Sequence, residues 1–412
     1  MQASAEVAGN TRAVKLALVA GESSGDQIAA AVIECLLAQQ SGLQVRGIGG
    51  PALAKAGMHC DADIDALSLR GYVEVIRHLP RLLRLRGKLI QDFVRWKPDI
   101  FMGVDAPDFN LELASRLKAQ GIYCYHLVGP SIWAWRPERK WKIAKAVDHL
   151  LLLFPFEQAL YAETGLKTTY VGHPMADQIE FNPDRLVVRK ALGLDRMLLS
   201  QGQIAEVRTS GTDVERSRWF CLLPGSRIDE IRQHAVRMLE AAQHLAIRYP
   251  QSVFLMPAAS ARIYELLKSL LGQHISVGSS RVILYRGRAR DCIAASDQVL
   301  AASGTVCLEA ALMGRPMVIV YRMPELSYRW MKRLQLQPWI GLPNILAQRF
   351  LVPELIQSKA SPKLMVQALE QQWDDREGLD ALRDALYRIH QTLRCDSASR
   401  AAAVIQHHMQ PS

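Results

Sequence analysis

Four short stretches carry side chains able to do chemistry. Asp105 stands directly after an apolar run, Ile100 to Val104, and opens Asp105-Ala106-Pro107-Asp108-Phe109-Asn110. In open α/β sheets the residues just past the carboxyl ends of strands line the ligand crevice, which makes Asp105 a candidate general base. Pro107 is read as fixing the turn, and Asp108 as the cap of a helix from Leu111 to Ala119. Gly21-Glu22-Ser23-Ser24-Gly25-Asp26 follows a second apolar run, Lys15 to Ala20. Two carboxylates there would repel a phosphate, so the loop is expected to meet substrate hydroxyls, Asp26 being equally suited to capping a helix start. The other two stretches prefer the opposite charge. Pro224-Gly225-Ser226-Arg227 places a cation with a bidentate fork beside a turn, a grip for a diphosphate. Ser303-Gly304-Thr305 opens a helix pattern whose free N–H groups suit a phosphate, and Glu309, one turn on, suits a ribose diol. The plainer alternatives are a solvated arginine, a solvated glutamate and an ordinary strand-to-helix turn.

These loops need strands and helices to hold them. Around Ser303 the order is strand (Gln298 to Ala301), turn, helix (through Val306, Leu308, Ala311 and Leu312), a stop at Gly314-Arg315-Pro316, and strand (Met317 to Tyr321). Apolar runs at Tyr123 to Val128, His149 to Phe154, Thr168 to Val171, Phe220 to Leu223, Val253 to Met256 and Val282 to Tyr285 extend the alternation, which predicts open parallel sheets. A chain of 412 residues accommodates two such domains. The divisions expected are 1–185, 186–375, and C-terminal helices over 376–412 that pack back on the first domain or exchange in a dimer. The polar stretch Asp195 to Arg218 reads as a surface insertion. Gly47-Ile48-Gly49-Gly50-Pro51-Ala52 has the form of a dinucleotide fingerprint, but it follows a short strand that is second in its sheet, and Pro51 is explained by helix initiation.

A hydrophobic fraction of 49% with 22% charged residues fits a globular chain and not a disordered one. No apolar run reaches the roughly 18–20 residues of a membrane span, and the polar N-terminus lacks a secretory core, so a cytoplasmic protein is expected. The seven cysteines are scattered, without disulfide-framework or zinc spacing, and no metal motif or cofactor is indicated. The formal charge of +10 asks for an anionic partner. Between Arg70 and Lys88, Tyr72, Val75, Ile76, Leu79, Leu82 and Leu83 share one helical face beside Arg77, Arg81, Arg84 and Lys88, a pattern suited to an anionic membrane, with Pro80 expected to kink or split the helix. Tyr328, Trp330 and Trp339 mixed with Arg329, Lys332 and Arg333 form a second pattern common at membrane interfaces. Trp133, Trp135 and Trp141 interleaved with cations fit either single-stranded nucleic acid or a phosphosugar with an apolar tail. A basic nucleic-acid-binding protein is therefore the rival class, disfavoured because the cations sit in leucine-containing amphipathic segments.

Taken together, LVAGESSGD (18–26), GVDAPDFN (103–110), PSIWAWR (130–136), GHPMAD (172–177), LPGSR (223–227), SGTVCLEAALMGRPMVIVYR (303–322) and LPNILA (342–347) make the chain resemble the lipid-A-disaccharide synthases. The resemblance implies a GT-B fold, α/β with two Rossmann-like domains and the active site in the cleft between them. It implies transfer from UDP-2,3-diacylglucosamine to the 6-hydroxyl of 2,3-diacylglucosamine 1-phosphate (lipid X), giving the β-1,6-linked disaccharide phosphate and UDP on the way to lipid A. Carried onto this chain, Asp105 is the general base and Glu22 a second acidic residue of the catalytic site. Ser226, Arg227, Ser303, Gly304, Thr305, Glu309 and Asn344 lie on the UDP side. The family's habit also implies a peripheral protein at the inner face of the cytoplasmic membrane and a homodimer with exchanged C-terminal elements. Another GT-B UDP-sugar transferase or an epimerase is the rival enzyme.

Overall fold

A computed structural model describes residues 13–40, 42–67, 72–194, 217–274 and 281–409, with only the backbone described at 65, 72–78, 274 and 281. All but the last two residues of the expected insertion 195–218 lie outside that set.

The first unit comprises residues up to Asp177 together with Leu393 onward. Its strands are β1 (Lys15–Ala20), β2 (Gln44–Gly49), β3 (His59–Asp63), β4 (Ile100–Val104), β5 (Tyr123–Leu127), β6 (His149–Leu152) and β7 (Lys167–Tyr170). Its helices are α1 (Ser23–Gln39), α2 (Pro51–Lys55), α3 (Tyr72–Trp96), α4 (Pro107–Lys118), α5 (Ile132–Trp135), α6 (Arg139–Ala146), α7 (Glu157–Leu160) and α8 (Pro174–Gln178), the last ending at the unit boundary. The second unit, Gln178–Thr392, holds β8 (Trp219–Leu223), β9 (Val253–Ala258), β10 (Arg281–Arg286), β11 (Gln298–Ala302), β12 (Met317–Tyr321) and β13 (Glu354–Ile356). Its helices are α9 (Arg185–Ala191), α10 (Ile228–Arg248), α11 (Ala261–His274), α12 (Ala289–Ala295), α13 (Thr305–Leu312), α14 (Glu325–Leu334), α15 (Leu342–Ala347), α16 (Pro362–Asp374) and α17 (Arg376–Leu393). The final helix, α18 (Ser397–Gln406), belongs to the first unit.

Both sheets are parallel and doubly wound. The first runs β3-β2-β1-β4-β5-β6-β7 and the second β10-β9-β8-β11-β12-β13. Strand order therefore reverses between β1 and β4, where Ala20 pairs with Val104, and between β8 and β11, where Leu223 pairs with Ala301. Central strands are apolar at every position because helices cover both faces: Leu16 through Ala20 are fully buried. On one face of the first sheet, Ala29, Ile33 and Leu36 of α1 meet Ala401, Ala402 and Ile405 of α18. On the other, Leu89 and Phe93 of α3 pack with Leu113 and Leu117 of α4. The second sheet carries α10, α11 and α16 on one face through Met238, Leu245, Leu267 and Met365.

Several polar motifs prove to be fasteners. Asp26 is buried and serves not its own helix but α2, its carboxylate accepting from the N–H groups of Gly50 (2.7 Å), Ala52 (2.9 Å) and Leu53 (3.3 Å). A Cβ on Gly50 would sit 2.7 Å from that carboxylate, so the glycine run of 47–50 is used for packing and capping. In GHPMAD, Asp177 accepts from the N–H groups of Cys395 (3.0 Å), Asp396 (2.9 Å) and Ser397 (2.8 Å), fixing the start of α18. The boundary between units thus falls at 177/178, and α16 and most of α17 fold with the second unit while α18 returns to the first. Pro80 lies inside α3 without ending it, and helix α4 begins at Pro107, earlier than the pattern of its leucines indicated. No helix among the described residues is long and apolar enough to cross a membrane.

Replacing Asp26 by alanine strands three buried or half-buried donors at once. The Asp26→Ala variant is expected to lose about 2 kcal/mol of stability in urea unfolding of the first unit, and an unchanged midpoint would refute the capping role.

Candidate active site

In the first unit the loops after β1 and β4 touch. A Cβ on Gly21 would fall 2.0 Å from that of Ala106, so only glycine lets these loops approach. Asp105 and Ala106 are both left-handed, at φ 54° and 42°, and Val128 at the end of β5 is left-handed too, at 77°. Such backbone costs about 1–2 kcal/mol per residue and collects where function demands a set geometry. Buried Asn110 holds the turn: its amide donates to the carbonyls of Val19 (3.1 Å), Val104 (3.3 Å) and Asp105 (2.8 Å). One Asp105 carboxylate oxygen accepts from the Ala106 N–H at 2.8 Å and the other has no protein partner among the described residues. Glu22 is exposed at the N-terminus of α1, its side chain capping nothing. Neither carboxylate is in an ion pair among the described residues, whereas Asp108, within α4 and not at its cap, pairs with Arg139. Two uncompensated acids therefore flank the switch point of the first sheet, a setting for taking a proton from a hydroxyl.

Beside them the ends of β5, β6 and β7 carry an aromatic wall. Trp133 meets Phe156 edge-on at 5.7 Å, Phe156 stacks on Phe154 at 5.8 Å, and Phe154 leans on His173 at 5.5 Å. The tryptophan cluster is thus split, since Trp133 packs inward while Trp135 carries Arg136 at 4.1 Å and Trp141 stays exposed. Beneath this wall lies Glu157, 2% exposed, a residue that composition and motif did not single out. Its carboxyl accepts from the Phe154 N–H at 3.1 Å, and the Trp133 indole faces it outside hydrogen-bond geometry. Burial pushes this carboxyl up to about 8, so it is mostly protonated at neutral pH.

In the second unit both expected anion loops stand at the switch point. Glu230 accepts from the N–H groups of Ser226 (2.9 Å) and Arg227 (3.2 Å), closing the N-terminus of α10. The Arg227 side chain is 80% exposed and only loosely paired with Glu230 at 3.4 Å, which leaves its guanidinium free to swing to a ligand. The loop is braced from behind by His234, which sequence reasoning passed over. This buried ring lies 3.2 Å from the Pro224 carbonyl through Nδ1 and accepts from the Arg322 N–H at 2.9 Å through Nε2. That network assigns the proton to Nδ1, and burial lowers the pKa, keeping the ring neutral.

The second loop is open. Ser303 is tied down, its hydroxyl donating to the Ile340 carbonyl at 3.1 Å. Gly304 and Thr305 are exposed, nothing lies within 4 Å of a Cβ built on Gly304, and no side chain caps α13. Its first N–H groups are available to an anion. Glu309 is largely buried and paired with Arg290 at 2.9 Å through Oε1. Asn344 differs from expectation. It is fully buried, donates to the Val352 carbonyl (2.9 Å) and Glu354 (2.8 Å), and accepts from the N–H groups of Leu351 (2.7 Å) and Val352 (2.8 Å). An amide with two donors and two lone pairs all committed has nothing left for a nucleotide. It shapes the 340–345 segment instead.

Each unit thus presents its own candidate loops, two carboxylates at the switch point of the first sheet and an uncapped helix terminus with an exposed arginine at that of the second. A family model described as lipid-A-disaccharide synthetase matches residues 16–406. Proteins named lipid-A-disaccharide synthase from Chromobacterium violaceum and Azoarcus sp. are 40% and 41% identical over 393 residues, spanning 95% of this chain and 97% and 95% of theirs. The chain belongs to the lipid-A-disaccharide synthase family. Among solved structures, a putative UDP-N-acetylglucosamine 2-epimerase from Listeria monocytogenes superposes with a TM-score of 0.62 at 12% identity, covering 97% of both chains. Acinetobacter baumannii MurG gives 0.55 at 13% identity, covering 96% of this chain and 99% of its own. At such identities these show the fold, two parallel-sheet units of the GT-B type, and the epimerase likeness goes no further. In this member of the lipid-A-disaccharide synthase family, Asn110, Glu230 and His234, to which motif reading gave no role, hold the recognised loops in place.

Because Glu157 is protonated when folded, its contribution to stability is fully present below about 4.5 and is lost as pH rises toward about 8. The Glu157→Gln variant lacks this loss, so its melting temperature relative to the parent is expected to climb by a few degrees between pH 5 and pH 8.5. A difference that stays constant across that range would contradict a neutral buried acid.

Proposed function

We propose that the chain transfers the diacylglucosamine unit of UDP-2,3-diacylglucosamine to the 6-hydroxyl of 2,3-diacylglucosamine 1-phosphate, releasing UDP. Family membership over nearly the whole chain supports this, and the observation that carries the mechanism is the placing of all four reactive loops at the two switch points. An alcohol has a pKa far above 7 and needs its proton removed as it attacks. In this reading the partnerless oxygen of Asp105 accepts that proton as the acceptor oxygen bonds to the anomeric carbon. The bond from that carbon to the diphosphate breaks, and the charge left on UDP is met by the first N–H groups of α13 and by Arg227. Glu22 orients the acceptor hydroxyls. Glu309, with Oε1 held by Arg290, offers its other oxygen to the ribose.

Both substrates are lipids, so the enzyme works at a membrane surface. The inner face of the cytoplasmic membrane is its proposed place, with α3 as the contact. Leu79 and Leu83 are 46% and 47% exposed and Leu82 is half-buried, while Leu89 and Phe93 further along the same helix anchor it in the core. Tyr72, Val75 and Ile76 fall in α3, but their side chains lie outside the described set. A homodimer that exchanges C-terminal helices remains part of the proposal, with the α1 face that receives α18 as the place of exchange.

Asp105→Asn is expected to lower transfer at least ~100-fold while UDP affinity, read by calorimetry, stays within a factor of two. Collapse of UDP affinity with transfer persisting would remove Asp105 from the role of base. Arg227→Ala is expected to weaken UDP binding by roughly ten- to a hundred-fold, the loss of a charge-assisted bond. Unaltered affinity would show that the guanidinium does not reach the diphosphate.

A further inference from the structure

Helix α14 is amphipathic and faces the wrong way for a core helix. None of its residues is buried, and its apolar members are the most exposed of their residue types among the described residues: Leu326 at 83%, Trp330 at 53% and Met331 at 36%. These three lie within one half of the helix circumference, while Glu325, Arg329, Lys332 and Arg333 occupy the other. The segment beyond continues the exposure through Leu336 and through Phe350, which meets Trp339 edge-on at 6.1 Å.

Charge identifies what covers such a face. Of the four charged residues three are cations, and the one acid is already committed, Glu325 pairing with Arg329 at 3.3 Å and accepting from the Gln357 amide at 3.1 Å. Lys332 and Arg333 in the last turn have no ion-pair partner among the described residues, and Lys332 lies 5.9 Å from the ring of Tyr328. Basic side chains flanking a tryptophan and aliphatic face are the requirements of a helix lying in an anionic lipid surface.

The helix is also held rigidly. Gln357 clamps the backbone of Met323, accepting from its N–H at 2.9 Å and donating to its carbonyl at 3.1 Å, and takes the Arg322 guanidinium on its own carbonyl at 3.1 Å. These bonds fix α14 just beyond the carboxyl end of β12, the end of the second sheet that carries the Arg227 and Gly304 loops. A fixed apolar face beside the donor-binding loops is poorly explained as a loose surface helix.

We propose that α14 is a membrane-contact element of the second unit, lying in an anionic bilayer surface with Leu326, Trp330 and Met331 among the acyl chains and Lys332 and Arg333 against lipid phosphates. The proposal rests on the reading that the substrates are lipids and adds a contact separate from α3. It is tested on the full chain by cosedimentation with vesicles of phosphatidylethanolamine and phosphatidylglycerol, compared with phosphatidylcholine alone. The L326S/W330S/M331S variant is expected to lose at least ten-fold in partition to anionic vesicles, and K332Q/R333Q to lose the preference for them over phosphatidylcholine. Since all five side chains are exposed, UDP affinity and melting temperature verify that each variant is folded. Trp330→Phe is expected to reduce the fraction of tryptophan emission quenched by brominated lipid. Undiminished partition of the triple variant, alongside lost partition of an L79S/L82S/L83S variant, overturns the proposal and leaves the function standing. A change in molecular mass with partition unaltered also overturns it, by showing that a second copy covers the face. If the parent fails to use acylated sugars while the α14 variant still loses vesicle binding, the function falls and the interface stands.

Discussion

A parallel sheet whose crossovers all turn the same way must open a crevice where its strand order reverses, because the chain leaves neighbouring strands in opposite directions. The candidate loops of both units depend on that constraint, applied twice. Between β1 and β4 it sets the Glu22 and Asp105 loops side by side, close enough that a glycine is obligatory at position 21. Between β8 and β11 it does the same for the Arg227 and Gly304 loops. The fold supplies the places, and a few buried polar side chains then fix the loops within them.

The two crevices differ in electrostatic character. In the first, carboxylates with no ion-pair partner among the described residues sit beside left-handed backbone locked by Asn110. In the second, a helix terminus without a side-chain cap and a largely exposed arginine give the opposite sign. Three buried ionisable groups of the first unit are shifted toward their neutral forms: burial lowers His126 and His173 to about 4 and raises Glu157 to about 8. Such neutral supports add little to the field at the loops they hold.

Much of this was legible in the sequence, for a physical reason. Central strands such as β1 and β12 are read correctly because two covered faces demand unbroken apolar residues. Edge strands β3 and β13 went unread, since HCDAD and ELI are only partly buried and carry no such signature. The placement of Asp105 and Gly304 just past strand ends was legible because unbroken apolar runs mark where those strands stop. Asn344 was placed on the UDP side by the family resemblance alone, and a motif match does not show that its amide is committed to Glu354 and the backbone of Leu351 and Val352. Arg315 was likewise unreadable. It is fully buried and donates to Asn182, to the Pro183 carbonyl and to the Ala294 carbonyl, contacts with residues distant in the chain that no local pattern announces.

The return of α18 to the first unit has a consequence in time. Ala401, Ala402 and Ile405 complete a core begun by β1 and α1, and the carboxylate of Asp177 waits for the N–H groups of residues 395–397. The intervening residues 178–392 form the whole of the second unit. On the ribosome that stretch takes roughly 10–40 s to emerge at about 5–20 residues per second. During that interval the second unit can fold outright as it emerges, whereas the first, although synthesised earlier, carries an uncovered apolar groove along α1. The order of maturation is thus the reverse of the order of synthesis, and the nascent first half is the stage at which a chaperone has most to protect.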